Sequence, residues 1–220
     1  MKRYFLLTLL ALVFGCSERG TNVEIEIIRI IDEPIIPPLL VEEIGENVQG
    51  PSLIKTPAWL KNPLGKYYLY FADHKGDRIK LAYSDNLIGP WTIHLGGTLN
   101  LEDSYFLREK PDIPADFNLE VLESRDAHPD VINHIPKKID DLTIPHIASP
   151  DAHVDDSNKI VILYYHGLDE FGLQKTRVAT SEDGINFKAR KKIVGWPYFR
   201  KFKYQNNDYA LSMPGIIYKN

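Results

Sequence analysis

Short apolar runs separated by tight turns recur along this chain and constrain its fold class. Residues 146–187 contain three of them, Ile147 to Val154, Ile160 to Tyr165 and Thr176 to Thr180. The runs are rich in β-branched and aromatic residues, and clusters of Asp, Asn and Gly lie between them. Because the apolar residues lack a sustained 3.6-residue period, the pattern predicts antiparallel strands of a meander and few helices.

The same strand unit recurs on both sides of this stretch. One copy runs from Gly50 to Trp91, and another begins near Tyr198 and reaches Tyr218. Leucines on the second strand of each copy are separated by 94 (163 − 69) and 48 (211 − 163) residues. These residues are Leu69, Leu163 and Leu211. A β-sheet unit that repeats at about 40–50 residues predicts a β-propeller, and an insertion at residues 98–146 accounts for the doubled first interval.

We therefore expect an all-β chain in which residues 23–220 form a β-propeller of antiparallel blades. The alternation of apolar and polar residues from Val23 to Ile31 predicts an early strand. The insertion at 98–146 is rich in proline and acidic residues and contains His128 and His134. A connection of this length is either an ordered cover over a site or a surface excursion between two blades.

The first 15 residues predict a targeting segment that is not part of the fold. Lys2 and Arg3 form its basic region, and the apolar run from Tyr4 to Phe14 is too short to span a bilayer, which needs about 20 residues. The lone cysteine, Cys16, directly follows Gly15. This placement resembles a bacterial lipoprotein signal peptide, in which the cysteine is lipidated and becomes the mature N-terminus. The alternative is a plain secretory signal with a chance cysteine.

A lipid on Cys16 would attach the protein to a membrane, with residues 16–22 as a short polar tether. Because Ser17 carries no acidic retention signal, we expect an outer-membrane lipoprotein in the envelope of a Gram-negative-type cell, facing the periplasm or the outside. The net charge of the chain is −4 and no basic stripe is present, so a nucleic-acid partner is not expected.

No cofactor or metal ion is expected from the sequence. The run from Asp155 to Asn158 has oxygen-rich side chains but lacks the glycine and the bidentate glutamate of a calcium loop, so we interpret it as a hairpin turn. A zinc site formed by His146, Asp151 and His153 is conceivable from the residue types, but the spacing of closed zinc sites is absent.

Three motifs within residues 50–215 have the order and spacing of blade boundaries. Tyr83 to Trp91 ends on G-P-W, and Ser181 to Phe187 reads S-x-D-G-x-x-F. Ser149 to Asp156 is spaced like the strand that opens a blade. Together they resemble the five-bladed propellers of glycoside hydrolase family 43 and the related family 32. The resemblance implies a ring of five blades that takes a poly- or oligosaccharide into its axial funnel.

The catalytic positions implied by this resemblance carry no carboxylates here. Family 43 enzymes open their first three blades with an aspartate, an aspartate and a glutamate, and glycoside hydrolysis uses two carboxyl groups that flank the scissile bond. The matching positions in this sequence are Gly50, Ser149 and Gly195 or Trp196. The chain is therefore either a glycoside hydrolase that uses other carboxylates or a lipid-anchored glycan-binding protein without hydrolytic activity.

A substitute cluster is expected around Asp151, our candidate for the catalytic carboxylate. Residues two apart on a strand share a face, so Ser149, Asp151 and His153 should point the same way. Further polar residues are expected to contact the saccharide. This set is Asp73, His74, His146, His153, His166 and Arg200. For each histidine the alternative is a surface residue or a satisfied core residue, whereas Arg200 suits the carboxylate or sulfate of an acidic sugar.

The third unit stops at Asn220, before any turn like that of Ser181 to Phe187. We therefore interpret the chain as the front part of a longer propeller, with about two and a half blades. A missing catalytic glutamate would then lie beyond residue 220. The unpaired edge at Ile216 and Tyr218 favours self-association.

Replacing Cys16 by alanine should release the protein from membranes, because the acyl chains would have no attachment point. Partitioning between detergent and aqueous phases tests this, with Ser17→Ala as a control that keeps the cysteine. Equal recovery of wild type and Cys16→Ala in the aqueous phase would refute the lipid anchor.

Overall fold

The computed structural model describes residues 26–118 and 139–219, and it shows an all-β chain built from antiparallel sheets. The predicted fold class is confirmed, while closure into a propeller and the number of blades stay predictions. In the described ranges the only α-helix is the five-residue α1 (Ile139–Thr143), and none of the helices there is long and apolar enough to cross a membrane. The predicted signal peptide, the tether, Cys16, His128 and His134 lie outside the described residues.

The strands form three meanders, each hydrogen-bonded in chain order. The first sheet contains β1 (Val48–Lys55), β2 (Tyr67–Asp73), β3 (Arg78–Ser84) and β4 (Thr92–Asn100). The second contains β5 (Ile147–Asp155), β6 (Ile160–Glu170), β7 (Leu173–Ser181) and β8 (Lys188–Gly195). The third contains β9 (Arg200–Tyr204), β10 (Asn207–Ser212) and β11 (Ile216–Lys219). Short 3-10 turns lie at Glu42–Ile44 and Leu101–Asp103, and β4 takes up the first three residues (98–100) of the predicted insertion.

The predicted strand at Val23 to Ile31 is wrong for the residues that the structure describes there. Residues 26–31 form no strand, and Ile27, Ile28 and Ile30 are exposed. An alternating pattern favours a strand but does not form one without a partner strand that supplies hydrogen bonds.

The first strands of the first two sheets are distorted at an equivalent position. β1 and β5 each carry a bulge, at Gly50 (φ 62°) and Ser149 (φ 50°), where the register against the second strand shifts. Tyr198 (φ 57°) has the same left-handed backbone just before β9. The position equivalent to Gly50 and Ser149 in the third sheet is therefore Tyr198, and its prediction as Gly195 or Trp196 is wrong.

Strand pairing matches the three sheets residue by residue beyond this point. The first-strand residue two positions after the left-handed residue pairs with the second strand in every sheet. The pairs are Ser52–Tyr70, Asp151–Tyr164 and Arg200–Leu211. One residue further along the first strand, the partners on the second strand are Leu69 and Leu163 in the first two sheets and Ala210 in the third. The alignment of leucines predicts Leu211 at this position instead. Ala210 is buried, whereas Leu211 is 44% exposed. A shift of one residue exchanges the two faces of a strand, which is why matching residue types misplaced the register.

The second strand of the first sheet, β2, is buried on both faces. Tyr68 and Tyr70 belong to a cluster shared with strands of the second sheet. The alternate side chains, Leu69 and Phe71, pack on the opposite side against Ile44, which precedes β1. Burying a side chain such as Phe71 stabilises the fold by about 1.5–3 kcal/mol. The segment before β1 therefore serves as a cover for the first sheet.

Removing the hydroxyl of Tyr70 should destabilise the packing of the first sheet on the second. This hydroxyl donates to the carbonyl oxygen of Gly184 at 2.7 Å. Tyr70→Phe should lower the free energy of unfolding by about 1–2 kcal/mol, because the buried carbonyl loses its partner. Urea unfolding followed by circular dichroism measures the change. Tyr67→Phe is the control, since the Tyr67 hydroxyl has no hydrogen-bond partner among the described residues; equal losses in both variants would contradict this account.

Candidate functional site

The first strands of the three sheets meet side by side near their distorted residues. A Cβ atom on Gly50 would lie 2.9 Å from the Cα of Ser149, so β1 and β5 approach closely there. The hydroxyl of Ser52 accepts a hydrogen bond from the N–H of Ala152 at 2.8 Å. β9 lies against β5 as well, because the N–H of Lys201 bonds to a β5 side chain. The side chains of these strands therefore converge.

The carboxylate of Asp151 is the centre of the polar contacts between β5 and β9. Its Oδ2 accepts from Nε2 of His153 at 2.7 Å and from the N–H of Lys201 at 2.8 Å. Its Oδ1 lies 3.7 Å from Nη1 of Arg200, which also donates to the carbonyl of Pro150. The Asp151 side chain is 12% exposed. Two hydrogen bonds and one ion pair thus fix a carboxylate that still reaches solvent.

The predicted grouping of Asp151, His153 and Arg200 is present in the structure, although their functional roles stay predictions. Ser149 does not join them. It is buried at the bulge, and the register shift between Ala148 and Asp151 breaks the alternation on which its expected position rested.

Aromatic rings flank the carboxylate of Asp151. Tyr164 lies opposite Asp151 in the pairing of β5 with β6. Its ring centroid is 6.0 Å from that of His153 and 5.0 Å from that of Phe199. The polar cluster is therefore bounded by apolar surface on the side of β6 and β9.

A second carboxylate, Asp208 of β10, lies in the same neighbourhood. Lys201 joins the two carboxylates, since its N–H donates to Asp151 and its Nζ lies 3.4 Å from Oδ1 of Asp208. Burial raises the pKa of Tyr164, and the charges of Asp151 and Asp208 act in the same direction. Both carboxylates thus act on the same phenol.

Two further predicted histidines, His146 and His74, lie near His166 of β6. His166 and His146 are buried, with ring centroids 5.9 Å apart. The N–H of Tyr198 donates to Nδ1 of His166 at 3.4 Å, so the proton of the neutral His166 ring is on Nε2. The Tyr198 ring lies 4.5 Å from the same imidazole. His74 acts on both buried rings through its charge.

Burial lowers the pKa of His166 to about 3, and the charges of His146, Arg200 and His74 act in the same direction. Burial is also the main cause of the lowered pKa of His146. Both rings are therefore neutral near pH 7. Because Arg200 acts on His166 and pairs with Asp151, it connects the histidines to the carboxylate.

Asp73 is the predicted site residue that the structure places apart from this cluster. A Cβ atom on Gly45 would lie 2.5 Å from its Oδ2, so the carboxylate faces the segment before β1. Burial lowers the pKa of Lys80, and the charge of Asp73 opposes that shift. Nζ of Lys80 donates to the carbonyl of Ile44 at 2.9 Å. Asp73 therefore compensates a buried lysine at the covered face of the first sheet.

Three contributors to the site are missing from the sequence-based prediction: Tyr164, Tyr198 and the backbone N–H of Lys201. Tyr164 could have been predicted from the sequence, because a hairpin turn after Asp155 places it opposite Asp151. Tyr198 and Lys201 come from the third sheet, and no local pattern indicates that β9 lies against β5.

No metal centre is formed in the part of the chain that the structure describes. No group of three His, Cys, Asp or Glu residues is placed there to hold an ion. The zinc site considered from the sequence is absent, because His146 packs on His166 whereas His153 bonds to Asp151. The run after Asp155 is a hairpin turn, as predicted.

A comparison with known proteins finds a relative by sequence in a giant virus. No protein-family model matches the chain. Over 185 residues the chain is 32% identical to an uncharacterised protein of Acanthamoeba polyphaga mimivirus. The matched region covers 79% of this chain and 44% of the viral protein. The chain thus spans less than half the length of this relative.

The solved structures that the comparison matches to this chain include two glycosidases. One is a β-xylosidase/α-arabinofuranosidase of glycoside hydrolase family 43 from a compost microbial metagenome, in complex with xylotriose. Its TM-score is 0.46 at 16% identity, over 81% of this chain and 44% of that chain. The other is an α-L-arabinofuranosidase from Clostridium thermocellum, with a TM-score of 0.29 at 15% identity, over 76% of this chain and 60% of that chain. Likenesses of this size identify no activity.

Stability should fall as the pH is lowered from 6.5 towards 3, because of His166. Over this interval the unfolded chain binds a proton on that ring, whose ordinary pKa is 6.5, while the folded chain, with a pKa of about 3, does not. One such proton changes the free energy of unfolding by at most about 1.4 kcal/mol per pH unit. Urea unfolding between pH 7 and 4.5 measures the slope.

The matched variants for this prediction are His166→Asn and His94→Asn. Asparagine keeps an acceptor for the N–H of Tyr198 but does not titrate, so the first variant should have a shallower slope. His94 lies on β4, outside the cluster, and its variant controls for the loss of a histidine elsewhere in the fold. An unaltered slope in His166→Asn would contradict the assignment.

Proposed function

We propose that this chain binds an oligosaccharide or polysaccharide at the cluster of Asp151, Arg200 and Tyr198. The observation that carries the proposal is the Asp151 carboxylate, which is fixed by His153, Lys201 and Arg200 and stays 12% exposed. A carboxylate beside a guanidinium offers acceptors and donors to neighbouring sugar hydroxyls. Tyr198 is 39% exposed and adds an aromatic surface with a polar tip.

The blade-closing motifs support a saccharide ligand as well. Tyr83 to Trp91 and Ser181 to Phe187, which resemble corners of family 43 propellers, both join the third strand of a sheet to the fourth. They therefore occupy equivalent places in the first two sheets. We propose that the sheets are blades of such a propeller and that their first strands line its funnel.

Binding without hydrolysis is favoured by the residues around the funnel. The positions that the family resemblance assigns to carboxylates are Gly50, Ser149 and, after the corrected register, Tyr198. Asp151 is a poor substitute for a general base, because both of its oxygens already face donors or a cation and a base needs a free lone pair directed at water.

Hydrolysis is the second candidate, and the pairing of Asp151 with Asp208 favours it. Glycosidases use two carboxyl groups in one site, one as acid and one as base or nucleophile. Lys201 contacts both of these carboxylates, and both act on Tyr164. In this alternative Asp151 is the catalytic residue, and Asp208 supplies the second carboxyl group.

The lipid anchor on Cys16 remains part of this proposal. It rests on the sequence pattern of residues 1–16 alone. An outer-membrane location would present the saccharide site to glycans in the periplasm or outside the cell.

Asp151→Asn should weaken retention on a glycan column by about 10–100-fold, because it removes a charge-assisted acceptor. Affinity chromatography on a panel of immobilised plant and algal glycans measures retention, and a reducing-end assay with the same glycans measures hydrolysis. The proposal predicts retention of the wild type without release of reducing ends.

Asp112→Asn is the control, since Asp112 is exposed and lies outside the cluster. Circular dichroism of each variant checks that the fold is kept. If none of the glycans retains the wild-type protein, the binding proposal is wrong. Reducing-end release that both Asp151→Asn and Asp208→Asn abolish would establish hydrolysis instead.

A further inference from the structure

Trp196, in the turn between β8 and β9, is an aromatic residue that the core does not take up. It is 39% exposed. Among the described residues it belongs neither to the apolar cluster between the first two sheets nor to the cluster on the covered face of the first sheet. Nζ of Lys175 lies over one face of its indole, 3.2 Å from the ring centroid. The indole is therefore oriented by a cation and still open to a ligand.

Hydrogen bonds to the backbone hold this turn in place. The carbonyl of Trp196 accepts from Oγ1 of Thr176 at 2.7 Å, and its N–H donates to the hydroxyl of Tyr218 at 3.1 Å. The N–H of Tyr198 donates to His166. These bonds attach the turn to β6, β7 and β11. A backbone that is ordered in advance lowers the entropy lost when a ligand packs against its rings.

Tyr198 connects Trp196 to the proposed saccharide site. Trp196, Tyr198 and Arg200 follow one another at intervals of two residues, so the chain from Trp196 to Arg200 spans at most about 14 Å. The rings of Trp196 and Tyr198 are equally exposed, at 39%. Because Arg200 pairs with Asp151, one short oligosaccharide that starts at this pair can reach both rings.

The chemistry around the indole suits a sugar ring. Because the ammonium of Lys175 occupies one face of Trp196, a ligand packs on the other. The face of an aromatic ring is electron-rich, and it attracts the slightly positive C–H groups of a sugar. Lys175 and the Tyr198 hydroxyl supply hydrogen-bonding groups for the hydroxyls at the edge of the sugar.

We infer that Trp196 forms a second subsite of the saccharide site, which packs against a sugar unit beyond those at Arg200 and Tyr198. The inference rests on the proposed saccharide binding and adds that the site takes oligosaccharide chains in preference to disaccharides. Replacement of the indole leaves the turn in place, because the bonds of Trp196 to Thr176 and Tyr218 use its backbone atoms.

Fluorescence titration of the whole chain tests the inference, since Trp196 is one of three tryptophans. The probes are xylohexaose, arabinohexaose and hexagalacturonate, each compared with the disaccharide of its series. At least one hexasaccharide should bind about tenfold more tightly than its disaccharide. It should also shift the emission to shorter wavelength, because it covers an exposed indole. Trp196→Ala should lose the shift and about tenfold of the hexasaccharide affinity, with the disaccharide affinity unchanged.

Trp59→Phe is the matched control, since Trp59 packs against the core between the first two sheets and should keep the shift at Trp196. Circular dichroism checks the fold of each variant. If Trp196→Ala keeps the chain-length preference and the shift, the subsite is wrong while the site at Asp151 stands. Asp151→Asn should weaken both probes of a series alike; wild-type affinity in that variant would refute the site at Asp151 and this inference with it. Binding of no hexasaccharide would also refute both.

Discussion

The left-handed backbone at the start of each sheet is the constraint on which the rest of the structure depends. Gly50, Ser149 and Tyr198 all adopt it, and at the first two the register against the second strand shifts. Only glycine adopts this conformation without a steric cost. At Gly50 the cost would be double, since a side chain there would also collide with the backbone of Ser149. The bulges therefore determine how closely β1 and β5 approach and which side chains face the convergence.

The polar site follows from this register because it lies two residues further along. The equivalent positions hold a small neutral residue in the first sheet (Ser52), an acidic residue in the second (Asp151) and a basic residue in the third (Arg200). The acidic residue stands in the middle strand of the three. Its partners come from its own strand through His153 and from the third sheet through Arg200 and Lys201. A partly buried carboxylate needs such compensation, since an unpaired buried charge is strongly unfavourable.

The first three strands of each sheet were predictable from sequence, whereas the fourth strands β4 and β8 and the contacts between sheets were not. Alternation and tight turns placed the three meanders, and the pairing of Asp151 with His153 followed from their spacing on one strand. Matching of residue types aligned Leu211 with Leu69 and Leu163, although Ala210 occupies the equivalent position, and this error shows the limit of sequence-based alignment. A bulge adds a residue without changing composition, so residue types alone cannot locate it. Contacts such as that of Lys201 with Asp151 depend on how whole sheets lie together, which no local pattern encodes.

The third sheet and the candidate site therefore form one energetic unit. The N–H of Lys201 and the guanidinium of Arg200 both belong to β9, and both face Asp151 of the second sheet. If β9 moved away, the carboxylate would keep only His153 as a partner among the described residues. Such a separation would also remove Tyr198 from His166, which would lose the donor to its Nδ1. Because both losses leave buried polar groups unpaired, any ligand that bridges Asp151 and Arg200 should also stabilise the docking of the third sheet.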